Sequence, residues 1–142
     1  MATFEEFGQT FSGESHVRGK EFERVCKWIL EHDPTYAPRM RTVWLWDDWP
    51  DRWGPDFGIN LVAQDTDGKT WAIQAKCYDE DYYVTKGDVE AFLAESTHEK
   101  IDYRLLIGTT DRLGPDASSV IKRQHQVRPV HTLLLEGLQN LS

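Results

Sequence analysis

The sequence has few cysteines and no long apolar run. Its 142 residues include two cysteines, Cys26 and Cys77, which lack the spacing of metal ligands. They are typical of reduced thiols in a cytoplasmic protein. No apolar run approaches the roughly 18 residues that span a bilayer, and the acidic start MATFEEFGQTF lacks the basic region of a signal peptide. We therefore expect a cytoplasmic protein with no membrane partner.

The sequence also lacks an excess of positive charge. Its formal net charge is −8, with 39% apolar and 28% charged residues, which is typical of one globular domain. This charge argues against nucleic-acid binding driven by overall charge, although charge can be segregated. The basic residues between positions 100 and 128 form either a DNA-facing patch or ordinary solvated surface: Lys100, Arg104, Arg112, Lys122, Arg123 and Arg128.

Hydrophobic periodicity predicts an alternation of helices and strands. Residues 1–16 show no clear period and are expected to form an arm or a short helix, whereas residues 18–32 repeat apolar side chains at helical spacing. Strands are predicted in RTVWLW, in two runs around an Asp-Gly turn, in YRLLIGTT and in RPVHTLLLEGL. Further helices are predicted after Thr85, an N-cap with Asp88 three residues on, and from Pro115. This order favours an α/β domain with a mixed sheet flanked by helices.

Tryptophan is concentrated in the strand and loop that precede the hairpin, at Trp44, Trp46, Trp49 and Trp53. Aromatic side chains on a loop can stack on nucleic-acid bases. Tryptophan in an irregular segment more often attaches the loop to the core. We expect the second role here.

Three polar side chains are predicted to meet at the open end of an otherwise apolar hairpin. The Asp-Gly turn in DTDGK places Asn60 opposite Gln74 and Val62 opposite Ala72. Because side chains alternate along a strand, Asn60, Gln74 and Lys76 then project from one face. Either this end of the hairpin emerges into water, or the three residues form a site.

These segments resemble the PD-(D/E)xK nuclease superfamily. FGINLVA…WAIQAK is similar to its core motif, in which an Asp opens one strand and Asp/Glu/Gln-x-Lys closes the next. The Gln form resembles the Mrr-like branch, and RGKEFERV resembles the first helix of that branch and of archaeal Holliday-junction resolvases. Residues 17–132 are closer still to the N-terminal nuclease domain of single-polypeptide (Type ISP) restriction enzymes.

The resemblance implies a restriction-endonuclease-like core, αβββαβ with an extra helix and strand. It implies one nuclease domain over residues 17–142, cut from a longer protein. That protein is expected to carry helicase (translocase) and methyltransferase domains and to act on double-stranded DNA in restriction and phage defence.

The resemblance also maps catalytic roles onto Glu23, Asn60, Gln74 and Lys76. Phosphodiester hydrolysis uses a metal to activate water and to offset charge on the phosphate, and Mg²⁺ requires oxygen ligands. Glu23, Asn60 and Gln74 are therefore the expected ligands of Mg²⁺ or Mn²⁺. Lys76 is expected to hold the attacking water or to stabilise the developing charge.

Position 60 departs from the family's pattern, because Asn60 stands where the motif has Asp. An amide oxygen brings no negative charge, so we expect metal affinity and turnover to drop. The change is either engineered, so that a toxic nuclease can be expressed, or natural; the intact surroundings favour engineering.

Asp56 is the rival metal ligand, although a supporting role in the loop is favoured. The noncatalytic alternatives are a DNA-binding module on the same fold and a protein-docking domain that uses the Trp-rich loop.

Overall fold

The computed structural model describes residues 15–141, so the predicted arm of residues 1–16 lies almost entirely outside the described residues. In chain order the described residues form α1 (Ser15–His32), β1 (Met40–Leu45), a short 3-10 helix (Trp46–Asp48), β2 (Leu61–Asp65), β3 (Thr70–Lys76), α2 (Lys86–Glu95), β4 (Tyr103–Gly108), α3 (Pro115–Val127), β5 (Val130–Leu133) and α4 (Leu135–Gln139). The predicted order of helices and strands is confirmed, and two short helices are added, the 3-10 helix after β1 and α4 at the end.

The strands form one mixed sheet in the order β1-β2-β3-β4-β5. The first three strands are antiparallel, whereas β3, β4 and β5 run parallel. Val62 pairs with Ala72, so the register predicted from the Asp-Gly turn is confirmed. Regular pairing ends at Leu61 and Ile73, which leaves Asn60 one residue beyond the ladder.

Helices cover both faces of the sheet, as expected for the predicted fold class. Alternate side chains of β2 and β3 point to opposite faces. On one face Ile73 packs with Phe22 of α1, and on the other Ala72 packs with Phe92 of α2. The mixed α/β sheet with helices on both faces is therefore confirmed.

Two predicted helix starts have the expected local chemistry. The Thr85 side chain accepts from the Asp88 N–H, and the Asp88 carboxylate accepts from the Thr85 N–H, which completes a capping box. Pro115 occupies the first turn of α3. Both helices thus begin where their capping residues predict.

The final strand is shorter than predicted. The sequence RPVHTLLLEGL was expected to supply the last strand, but β5 ends at Leu133 and α4 begins at Leu135. The Leu138 N–H donates to the Leu134 carbonyl at 2.8 Å, and Leu138 is fully buried. A short apolar run does not separate strand from helix by periodicity, so the helix was missed.

The Trp-rich loop packs inward. Trp46 and Trp49 are buried, and the Trp46 ring lies 5.0 Å from that of Trp53. Trp46 Nε1 donates to the Gly54 carbonyl, and Trp53 Nε1 donates to Glu95, each at 3.0 Å. These contacts support the predicted role of attaching the loop to the core.

The basic residues between 100 and 128 do not form one exposed patch. Arg104 is fully buried between β4 and the two helices α2 and α3, so it cannot face DNA. Arg128 donates to the carbonyls of Ser96 and His98, whereas Lys122 and Arg123 are exposed on α3.

From Ser15 to Leu141, no helix combines the length and the apolar character that crossing a membrane requires.

Candidate active site

An open cleft of about 420 Å³ lies where α1 meets the open end of the β2–β3 hairpin. Three of the predicted site residues line it, Glu23 from α1, Asn60 before β2 and Lys76 at the end of β3. The rival ligand Asp56 lines it as well. The structure therefore brings four chemically active side chains from three distant parts of the chain to one place.

Asn60 is the residue that closes the hairpin at the cleft. Its side chain is buried, with 5% of the residue exposed, and its backbone N–H donates to the Ile73 carbonyl at 2.9 Å. The Asn60 Oδ1 accepts from the Ala75 N–H at 2.8 Å, and Nδ2 donates to Asp56 Oδ2 at 3.3 Å. Both ends of the amide are thus in hydrogen bonds, one to β3 and one to a carboxylate.

Asp56 reaches the cleft because the chain turns sharply at Gly58. The Gly58 φ is +127°, and a Cβ there would lie 2.9 Å from the Phe92 backbone nitrogen, so only glycine fits. The Gly58 N–H donates to Asp56 Oδ1 at 2.8 Å, which holds the carboxylate over Asn60. Asp56 therefore both supports the loop and presents a carboxylate oxygen at the site.

Glu23 is a partly desolvated carboxylate. Its side chain is 13% exposed, and Lys20 Nζ lies 3.7 Å from its Oε2. Burial raises the pKa of Glu23; Asp56 raises it further, whereas Lys20 and Lys76 act in the opposite direction. Glu23 is thus electrostatically coupled to Asp56 and Lys76 across the cleft.

Gln74 is turned away from the cleft. The residue is 3% exposed, and its Nε2 lies 3.5 Å from the Asp88 carbonyl, at the long limit of a hydrogen bond. It lines a separate, largely apolar cavity with Tyr78, Val84 and Val89. Gln74 is not among the residues that line the cleft with Glu23, so its role as a metal ligand stays a prediction.

Lys76 borders both cavities. It lines the cleft with Glu23 and the apolar cavity with Gln74. Its positive charge helps to lower the pKa of Asp88, although burial of that carboxyl acts upward and hydrogen bonds from Thr85 and Tyr82 contribute more. Lys76 is therefore electrostatically coupled to a carboxylate on α1 and to one on α2.

The donor set fits a magnesium-type cation only partly. Within residues 15–141 no group of three or more His, Cys, Asp or Glu side chains is arranged to hold a metal. Mg²⁺ is usually bound through one or two carboxylates, with waters and substrate phosphate completing its shell. Glu23 and Asp56 supply that minimum, and Asn60 adds a neutral oxygen that already accepts one hydrogen bond.

Sequence reasoning found Glu23 but missed the rest of its helix face. His16, Gly19 and Lys20 also line the cleft. Residues three, four and seven positions apart share a helix face, so the spacing from Glu23 was a usable signal.

Comparisons with known proteins identify the family and the fold of this chain. A family model described as restriction endonuclease (Mrr_cat_2) matches residues 31–142, which include Asp56, Asn60 and Lys76 but not Glu23. A solved structure described as the ATP-dependent Type ISP restriction-modification enzyme LlaBIII bound to DNA is similar, with a TM-score of 0.79 and 26% identity. The similarity covers 99% of this chain but 9% of that protein's chain. Among curated proteins, none matches the chain significantly.

The family match covers most of the chain and contains the hairpin with its closing lysine, and the fold is shared over nearly every residue with a restriction-modification enzyme. The chain therefore belongs to the Mrr-like restriction endonuclease family of PD-(D/E)xK nucleases.

Proposed function

We propose that the chain is a metal-dependent DNA endonuclease domain of a restriction enzyme, present in a form that Asn60 impairs. The observation that supports this most strongly is the meeting of Glu23, Asp56, Asn60 and Lys76 in one cleft at the end of the hairpin. The proposed substrate is double-stranded DNA and the proposed cofactor is Mg²⁺ or Mn²⁺. We further propose that helicase and methyltransferase domains accompany the domain in a longer protein that acts in phage defence.

Each side chain has a role that follows from its position. Glu23 and Asp56 would hold the cation, which supplies an activated water and offsets charge on the phosphate when bound. Lys76 would donate hydrogen bonds to the attacking water or to the phosphate oxygens as negative charge develops on them. Lys76 lines the same cleft as Glu23 and Asp56, so its ammonium is available to a phosphate bound there.

Asn60 accounts for the proposed impairment. A carboxylate at this position would accept from the Ala75 N–H as the amide does and would leave a second anionic oxygen for a cation. The amide instead donates its N–H to Asp56, so it withdraws one carboxylate oxygen from the cleft and adds no charge of its own. A weaker metal site and slow or absent cleavage are the expected result.

The direct test is reversion of position 60. Asn60→Asp should produce cleavage of a supercoiled plasmid that depends on Mg²⁺ or Mn²⁺ and is abolished by chelation. Activity should rise by about 10²-fold or more, as for other single groups that act on transition-state charge. Plasmid relaxation and linearisation on gels measure both the first and the second strand cut.

The matched control is Asn60→Asp combined with Lys76→Ala, which keeps the restored carboxylate and removes the ammonium. It should bind metal but not cut. The assignment of this site is wrong if Asn60→Asp folds, binds DNA and cuts with neither cation.

A noncatalytic DNA-binding module is the second candidate. It is favoured by Asn60 itself, because both ends of its amide are satisfied by protein groups without a cation. A natural asparagine at position 60 in the full-length gene supports this alternative, whereas a natural aspartate supports the nuclease. Docking of a protein partner on the Trp-rich loop is disfavoured, because Trp46 and Trp49 are buried.

A further inference from the structure

One face of α1 forms a wall of the cleft, and its composition is unusual for a helix. His16, Gly19, Lys20 and Glu23 recur at the spacing of a single helix face and line the cleft together. The apolar face of the same helix, with Phe22 and Cys26, is buried against the sheet. The packing of the fold thus explains the buried face of α1, but it does not explain the polar residues and the glycine that face the cleft.

Gly19 is unexplained by the fold. Glycine within a helix is unfavourable relative to alanine, because it loses more backbone freedom on folding. The positive-φ glycines of the described chain are Gly58 and Gly68, so the Gly19 backbone does not require glycine. A Cβ built on Gly19 would meet no described atom within 4 Å, so packing does not require glycine either. What glycine provides here is bare backbone facing the cleft.

The residues beside Gly19 have the chemistry of a phosphate contact. Lys20 is 55% exposed, and its Nζ is 3.7 Å from Glu23, a distance at which an exposed ion pair contributes little. His16, one turn earlier, is exposed. Both side chains can therefore turn to an anion that lies over Gly19, whereas a bulkier residue at position 19 would hold that anion away from them.

We infer that the α1 face of His16, Gly19 and Lys20 is a contact site for the DNA backbone, in which Gly19 lets one phosphate approach the helix closely. This rests on the proposed function, since it assigns how the same cleft holds its substrate. The contact lies within about two helical turns of Glu23, so it would position the strand beside the carboxylates that are proposed to hold the metal. Gly19 is a positioning residue and takes no part in the chemistry.

The test compares Gly19→Ala and Gly19→Leu with the unchanged chain, with Gly87→Ala and Gly87→Leu as matched controls. Gly87 is an exposed glycine in the first turn of α2, and a Cβ there would make only an ordinary contact with Thr85. Binding of a fluorescent DNA duplex is measured by anisotropy over a range of salt concentrations. Thermal unfolding is measured on the same samples.

Gly19→Ala should raise the midpoint of thermal unfolding by about 2–4 °C, because it favours the helix. Gly19→Leu should raise the Kd for DNA by about tenfold. It should also lower the slope of log K against log salt by about one, the signature of a lost phosphate contact. Lys20→Gln should reduce the slope by the same amount, and the Gly87 variants should bind like the unchanged chain.

Three results would overturn the inference. Unchanged affinity and salt slope in Gly19→Leu, with normal binding by the unchanged chain, refute the α1 contact but leave the proposed nuclease function intact. A lower unfolding midpoint in Gly19→Ala shows that the chain itself fills the space over Gly19. Absence of any DNA binding by the unchanged chain at low salt overturns both the contact and the proposed function.

Discussion

The amide of Asn60 forms hydrogen bonds to two groups, and a carboxylate at position 60 would repel one of them, Asp56. Asn60 accepts from the Ala75 N–H and donates to Asp56, so both of its polar atoms lower the energy of the hairpin end. A carboxylate would keep the first bond but bring a second anionic oxygen against Asp56, which is already coupled to Glu23. Asparagine at position 60 therefore favours the stability of the metal-free fold, whereas aspartate would favour binding of a cation.

We predict that Asn60→Asp makes the stability of the chain depend on divalent metal. In EDTA the variant should lose about 1–2 kcal/mol, because a hydrogen bond becomes a contact between two carboxylates. Excess Mg²⁺ or Mn²⁺ should restore the midpoint, since a ligand that binds only the folded state stabilises it. Thermal unfolding of both chains, with EDTA and across a metal titration, measures the effect.

The control is Asn60→Ala, which removes both hydrogen bonds and adds no charge. It should be destabilised to a similar extent in EDTA and should not respond to metal. Equal midpoints for Asn60→Asp in EDTA and in excess Mg²⁺ would show that position 60 does not contribute to a cation site.

At the scale of elements, a buried arginine closes the ends of two helices. At the end of α3, Arg104 on β4 donates to the Gln124 carbonyl at 2.7 Å, to Gln124 Oε1 at 3.0 Å and to the Arg128 carbonyl at 2.8 Å. Near the end of α2 it donates to the Leu93 carbonyl at 3.3 Å. The last carbonyls of a helix have no partner within it. Burial lowers the pKa of Arg104 to about 10, and Arg128 adds to this, so the group is still charged at neutral pH. Arg104 thus joins the C-terminal ends of α2 and α3 to the sheet.

Replacing this arginine should be strongly destabilising. Arg104→Met removes four hydrogen bonds and leaves the Arg128 carbonyl without this donor, whereas the Gln124 and Leu93 carbonyls still accept from the Arg128 N–H and the Ser96 hydroxyl. Each lost bond costs about 1 kcal/mol, so we expect a loss of about 2–4 kcal/mol. Arg104→Lys should recover little, because one ammonium cannot reproduce the fork of a guanidinium. Urea denaturation measures both, with Arg123→Met on the exposed side of α3 as the control. If Arg104→Met proves as stable as Arg123→Met, these hydrogen bonds do not hold the helices.

The sequence predicts those features of the fold that depend on a few adjacent residues, and it does not predict those that depend on distant packing. The register at Val62 follows from the Asp-Gly turn, and the start of α2 follows from Thr85 and Asp88, because each depends on a few adjacent residues. The helix α4 was missed because three successive leucines fit either a strand or a helix. The burial of Arg104 was also missed, since it depends on how two distant helices pack over β4.

Some residues of the candidate site are also predicted by local signals, whereas others depend on distant packing. Asn60 and Lys76 lie at the open end of the hairpin, a position that the Asp-Gly turn and its register predict. The position of Asp56 depends on the turn at Gly58, and that turn is shaped by contact with α2. The direction of the Gln74 side chain depends on the cavity beneath α2, which no local pattern encodes.

At the scale of the whole molecule, the carboxylates of Asp65 and Glu23 make stability depend on pH in opposite directions. Burial acts to raise the pKa of Asp65, but hydrogen bonds from Trp71, Lys69 and Asp67 outweigh it and the pKa is lowered. The folded state then binds fewer protons than the unfolded state, so this contribution is present above the usual Asp pKa and is lost as pH falls. Glu23, whose pKa is raised by burial, has the opposite sign and contributes less as pH rises through its folded pKa.

We therefore predict that Asp65 accounts for part of the acid sensitivity of a chain whose net charge is −8 at pH 7. Its Oδ1 accepts from the N–H groups of Asp67 and Lys69, and its Oδ2 accepts from Trp71 Nε1, each at 2.9 Å. An amide can present an oxygen to only one of these sides, so Asp65→Asn should lose about 1–3 kcal/mol at pH 7. Urea denaturation from pH 7 down to pH 3 should show this difference shrinking below the usual Asp pKa of about 3.9. The control is Asp67→Asn, because Asp67 is exposed in the same turn and asparagine is compatible with that turn. This variant should have the same free energy of unfolding as the unchanged chain at each pH. If Asp65→Asn instead differs from the unchanged chain by the same amount at all pH values, then the geometry of Asp65 stabilises the fold and its charge does not.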